Sequence, residues 1–430
     1  MMRPGAGPSP TLPIRFLLSA AVAFVLAALA VPWLAVELAG HYYHPRLLAL
    51  THSVTLGWIT LAIMGASYQL IPVVLGRPIW SERLARWQFG LLATGIAGML
   101  GHFFVAQWPG LLWAAALVAV GVVAHAVNVA LSLRHLGAWT FTARMMALAL
   151  VGLLLTLALG LLLGLDRVAK ILPAELFPTL HAHFHLGLLG WVLPMVVGVA
   201  ARVYPMFLLA EEPTGRGADV QFWGLALGVP AVVAGLLGAR PLVAPGAVVV
   251  AAAVAAHLWW VFGMIRTRRR PGLDPGLRLV LTGAVFLLPA AALGLGFAFE
   301  LLAGPRAGLA YAVLALGGWV SHTIAGMMLK IVPFLVWYRV YAPRTGRAPV
   351  PTLAQLSWGA VERAAWVLLA TGMPALTLAV AVGDPAWIRL AGLLPALGAL
   401  ALAAALGRVL SHAWPVRAGR KAGGLPQPVP

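Results

Sequence analysis

The sequence contains no cysteine. Structural disulfides, thiolate-held iron–sulfur clusters and covalently attached c-type haem are therefore excluded. Charge is nearly as scarce. Only 9% of the 430 residues are charged, where a soluble domain carries about a quarter. Acidic residues number 11, which leaves few oxygen ligands for hard cations and few groups for ion coupling. Hydrophobic residues, in contrast, make up 62% of the chain. They fall in runs long enough to cross a hydrocarbon core of about 30 Å as helices. The net charge of +18 does not point to nucleic acid, because the basic residues sit in short loops between apolar runs.

These runs predict spans at roughly 13–38, 47–75, 87–108, 110–133, 143–165, 178–208, 220–239, 242–265, 277–302, 307–338, 357–381 and 386–411. The fold class is all-α: a polytopic membrane protein of about twelve transmembrane helices, forming one domain over 1–414. One set of alternate loops holds Arg77, Arg83 and Arg86, then Arg134 and Arg144, then Arg216, then Arg266 to Arg278, then Arg339, Arg344 and Arg347. The intervening loops hold few basic residues. The positive-inside rule puts the arginine-rich loops and both termini in the cytoplasm of a bacterial-type inner membrane. The Pro- and Gly-rich segment 415–430 reads as a disordered cytoplasmic tail.

Three segments share one pattern. Gly57-Trp58, Gly190-Trp191 and Gly318-Trp319 are each followed by Gly at seven and Pro at fourteen residues after the Trp: Gly65 and Pro72, Gly198 and Pro205, Gly326 and Pro333. A polar residue precedes each Pro by three: Gln69, Arg202 and Lys330. The segments open spans two, six and ten, so the repeat is four helices, starting near 12, 143 and 277. The arrangement this predicts is a pseudo-threefold bundle.

His52 lies six residues before Trp58, and His185 six before Trp191. Equivalent positions imply equal depth, and two imidazoles at one depth on facing helices can clamp a haem iron axially. His52 and His185 are thus the expected ligands of a b-type haem. His181, His183 and His185 lie within one helical turn and a half; His181 and His185 share a face and His183 points elsewhere, toward a second centre. In the third repeat Val313 takes the histidine position, and His322 follows Trp319 by three, about 13 Å deeper. His181 and His322 are the candidates for a second metal, copper among them. His41 and His44 read as interfacial anchors beside Tyr42 and Tyr43, and His102 as a neighbour of the site. His125 and His257 read as helix-to-helix bonds, and His135 and His412 as interfacial groups.

The stretch Thr51-His52-Ser53-Val54-Thr55-Leu56-Gly57-Trp58, continuing to Tyr68-Gln69-Leu70-Ile71-Pro72, resembles a haem-ligating helix of the haem–copper oxidase catalytic subunit, especially its C-family form. His183-Phe184-His185, running to Gly190-Trp191, resembles the His-x-His helix of that family more closely still. The resemblance implies twelve helices, pseudo-threefold symmetry and haems in the outer half of the membrane. It also implies that His185 and His52 form a low-spin pair while His183 serves a high-spin haem. This chain carries its His-x-His on the sixth span rather than the tenth, and its seventh span lacks the adjacent histidines of the family's copper site. The chain is also similar to the NnrS family of membrane haem proteins, which implies a link to nitric oxide tolerance.

The function expected is a haem-binding membrane protein related to oxidase subunit I, acting in electron transfer or in oxygen or nitric oxide handling, and an oxidoreductase if it turns over substrate. Its expected partners are the lipid bilayer, a cytochrome or quinol electron donor and other membrane subunits, with no nucleic acid. Internal repeats and Gly/Pro-interrupted helices equally suit a transporter or channel, and absent copper ligands suit a cofactor-free assembly subunit.

Overall fold

The structure, a computed structural model, describes residues 10–134, 136–172, 176–213 and 215–413. The expected tail and His135 lie outside them. Among the described residues there are helices and no strands. Twelve long helices run back and forth: α1 (Thr11–Trp33), α2 (Pro45–Leu75), α3 (Glu82–Phe104), α4 (Trp108–Leu133), α5 (Phe141–Ala169), α6 (Leu176–Leu208), α7 (Gly217–Leu236), α8 (Arg240–Thr267), α9 (Pro275–Ala298), α10 (Pro305–Val340), α11 (Gly359–Val382) and α12 (Pro385–Ser411). Eleven of these described helices are long and apolar enough to cross a membrane. Helix α3 falls just short because it opens on Glu82, Arg83 and Arg86 and carries Gln88 and His102. It starts earlier than its apolar run because Ser81 Oγ caps it, accepting from the Leu84 amide at 3.2 Å. The chain is an all-α polytopic membrane protein.

The bundle is a ring of three four-helix units. In each, the third and fourth helices form an antiparallel hairpin, and the first packs on its own second helix and on the last helix of the preceding unit. Thus α1 lies against α2 and α12, α5 against α6 and α4, and α9 against α10 and α8. Helices α2, α6 and α10 stand innermost. The Gly that follows each Trp by seven is a point of close approach. A Cβ on Gly65 would stand 2.5 Å from Phe16 Cβ, one on Gly198 would collide with Met145 Cβ, and one on Gly326 with the Gly276 carbonyl oxygen. Small residues let these helices touch backbone to backbone, the main source of attraction between helices in lipid.

Each inner helix widens into a π-helical segment where the Gly-Trp pair sits: Ser53–Thr60, Leu186–Val192 and Val313–Ser321. Such segments concentrate at functional sites. The three indoles are buried at the centre. Trp191 Nε1 donates to Thr60 Oγ1 at 3.4 Å, and Trp58 Nε1 donates to Ser321 Oγ at 3.0 Å. Both acceptors lie two residues after a repeat Trp. The third such position is Leu193, which has no acceptor, so the ring of bonds is open on one side.

Candidate functional site: an imidazole-lined cavity

His52 ends the α-helical start of α2, immediately before its π-helical segment, and His185 holds the same place in α6. The Nδ1 of each reaches the carbonyl four residues earlier: His52 to Leu48 O at 2.8 Å and His185 to His181 O at 2.8 Å. His183 instead reaches across to α5, to Thr156 O at 3.0 Å. A carbonyl only accepts, so Nδ1 carries the proton in all three rings. The unprotonated Nε2 is left free, the arrangement a metal-binding imidazole needs.

The structure pairs His52 with His183. Their ring centres are 6.4 Å apart and their planes differ by 23°. Both line a cavity of about 210 Å³ between α2 and α6, walled also by α3, α4 and α5. It runs from Tyr43 and Arg167 at the face opposite the arginine-rich loops down to Thr60 and Trp191. Phe103 stacks on His52 at 4.7 Å and fixes its plane. Gly160 makes room for His183, since a Cβ there would stand 2.9 Å from its Cε1. Thr55 and Thr156 turn their hydroxyls to carbonyls of their own helices, at 2.9 and 2.7 Å, so the wall is apolar in character.

The structure thus brings His52 together with His183 and sets His185 apart from both. Residues two apart on a helix project to nearly opposite faces. His183 takes the face toward α2 and α5, and His185 takes the face toward α10. There His185 stacks with Tyr311 at 6.0 Å, among Phe184 and Phe297. The candidate second-metal residues do not meet either. His181 joins the Tyr42 hydroxyl through Nε2 at 2.9 Å, at the end of α6. His322 is buried on α10 against Phe286, with Nδ1 donating to Gly317 O at 3.1 Å. Among the described residues no cluster of three histidine or acidic side chains is arranged to hold a metal ion. His102 accepts from Trp113 Nε1 at 3.0 Å, away from the cavity.

Beneath the cavity His125 makes the expected helix-to-helix bond, within a buried polar group whose other members the sequence reading missed. Tyr68 donates to Gln88 Oε1, His125 Nδ1 lies 3.2 Å from the Tyr68 hydroxyl, and Gln88 Nε2 reaches Met64 Sδ at 3.2 Å. His125 Nε2 has no partner among the described residues. Two amides in apolar runs, Gln88 and Asn128, were the available signal, since buried amides in lipid require partners.

Two imidazoles binding one metal from opposite sides through Nε2, each at about 2 Å, stand with ring centres roughly 6 Å apart. The 6.4 Å between the His52 and His183 ring centres matches that spacing. What fold and site define is a polytopic membrane protein whose inner helices bring two imidazoles into an apolar cavity. No family model matches the chain. Quinol oxidase subunit 1 of Sulfolobus acidocaldarius is 30% identical over 146 residues, 32% of this chain. The similar stretch spans 27% of that protein's length.

Proposed function

We propose that this chain is an integral membrane haem protein of the oxidase subunit I type, in which His52 and His183 hold one b-type haem and the bound haem relays electrons. The observation that carries the reading is the facing pair of Nδ1-anchored imidazoles 6.4 Å apart in an apolar cavity. The haem supplies one-electron chemistry when bound. The protein's own work is positional. Leu48 and Thr156 carbonyls fix the two tautomers, Phe103 and Gly160 fix the ring orientations, and the apolar walls exclude water. Held by both histidines, the group would serve electron transfer rather than gas binding. A cytochrome or a quinol is the donor class that suits such a site, and the similarity to a quinol oxidase subunit supports the second. The distribution of the arginine-rich loops supports a reading in which the cavity faces the outer side of an inner membrane, with both termini cytoplasmic.

The test is a dithionite-reduced minus oxidised spectrum of the purified protein and three variants. A b-type spectrum is expected in the wild type and in His185→Ala, and its loss in His52→Ala and His183→Ala. Loss in His185→Ala with retention in His183→Ala would restore the pairing expected from the repeat. A protein colourless after haem supplementation would leave the transporter and assembly readings.

A further inference from the structure

Helix α8 ends in an aromatic and then a basic run, Trp259-Trp260-Val261-Phe262 followed by Arg266, Arg268, Arg269 and Arg270. Trp260 is buried in the bundle, whereas Trp259 and Phe262 face the lipid, 72% and 49% exposed, with ring centres 6.3 Å apart. Phe262 and Arg266 are one turn apart on one face, and the Arg266 guanidinium lies over the Phe262 ring, 5.5 Å from its centre. Arg266 thus stands about 10 Å beyond Trp259 along the helix. That is the order in which a bilayer presents acyl chain, interface and phosphate. Two of the four arginines turn to protein: Arg268 Nη1 donates to Ile265 O at 2.8 Å, and Arg270 reaches Phe207 O at 3.3 Å and Asp274 at 2.9 Å. Arg266 and Arg269 are exposed, and neither meets a carboxylate among the described residues. The acid outside those residues, Glu175, precedes α6. This loop is held at the other end of that 33-residue helix, where Leu209 O and Leu208 O accept from the Arg269 and Arg270 amides. Topology alone does not ask for so many arginines. Helices α4 and α12 hold the same place in the other two units, and each carries one arginine at this end, Arg134 and Arg408, with no aromatic residue in the two turns before it.

We infer that Arg266 and Arg269 seat the phosphate of one anionic phospholipid, whose acyl chains lie on α8 along Trp259 and Phe262. A guanidinium is shaped for phosphate, and one stacked on a ring keeps its N–H donors free at its edge. The occupant is a lipid because the aromatic half of the seat lies within a membrane-crossing helix, where acyl chains reach it and a soluble partner does not. It is an anionic lipid because the choline of a zwitterionic one would meet two cations. The inference rests on the membrane fold and not on the haem reading.

The full-length protein, purified in mild detergent and stripped of lipid, is titrated with phosphatidylglycerol and with phosphatidylcholine of the same acyl chains. Native mass spectrometry counts the lipids bound. The first phosphatidylglycerol should bind the wild type on the order of tenfold more tightly than phosphatidylcholine, as two arginines beside an anionic headgroup require. Arg266→Gln with Arg269→Gln should lose that preference while binding phosphatidylcholine as the wild type does, which also shows that it folds. Arg269→Gln alone, a change to an exposed loop side chain, should lose part of it. Arg134→Gln, at the matching end of α4, should keep all of it, and excess inorganic phosphate should not displace the lipid. Equal binding of the two lipids by the wild type overturns the inference, as does an unchanged preference in the Gln variants. An equal loss in Arg134→Gln overturns it by assigning the preference to surface charge at large. Displacement by phosphate overturns it by assigning the seat to a free anion.

Discussion

Single side chains inside this bundle matter because no water replaces a lost partner there. Tyr68 links Gln88 and His125. Tyr68→Phe should destabilise the protein by about 1–3 kcal/mol, since it strands two buried polar groups. Tyr68→Phe with Gln88→Leu should cost less than the sum of the two, because the second change removes a stranded group. Unfolding in mixed micelles of mild detergent and dodecyl sulfate measures both. In the loop between α1 and α2 Arg46 donates to Glu37 at 2.8 Å. Burial raises the Glu37 carboxyl, but the hydrogen bond and charge of Arg46, with backbone help, outweigh it and leave it below the ordinary value. A depressed carboxyl contributes stability above its ordinary range and loses it as pH falls through the lowered value. Glu37→Gln should therefore melt slightly lower than wild type at neutral pH, and the gap should close in acid. Half-exposed Arg46 keeps the effect to a few tenths of a kcal/mol.

Helices touch here through glycine, and the repeat crossings leave no room for a methyl. One at Gly65 meets Phe16 Cβ, and one at Gly326 meets the carbonyl oxygen of Gly276. A Cβ moves only with its backbone, so neither crossing yields without a shift of a helix. Gly65→Ala and Gly326→Ala should thus each destabilise by the about 1–3 kcal/mol typical of overpacking, by the same micellar unfolding measurement. The spacing of those glycines was legible in the sequence because each crossing needs a small residue at the same turn. The helix positions were legible too, since lipid demands long apolar runs. The π-helical segments were not, because widening a helix leaves no periodic mark. Nor was the direction in which the His183–His185 helix faces its neighbours. Spacing says that the two rings diverge, and only the order of helices around the ring says which one meets His52.

Across the whole molecule, three spaces separate the three inner helices at the end that carries His52 and His183, and they have diverged. Between α2 and α6 lie His52 and His183. Between α6 and α10 the room is taken by His185, Phe184, Tyr311 and Phe297. Between α10 and α2 an apolar cavity of about 120 Å³ remains, with Val54 and Val313 in its wall and no histidine lining it. One space can thus offer two imidazoles to a metal. Pyridine haemochrome analysis against protein mass should give one haem per chain, and carbon monoxide should leave the reduced spectrum unchanged. The closed packing has one more effect. The contact of α12 with α1 is the same kind of joint as α4 with α5 and α8 with α9. A chain opened at either of those two loops and spliced end to end would be a circular permutant of the same bundle. In such a ring the ordinal of a helix is only a starting point.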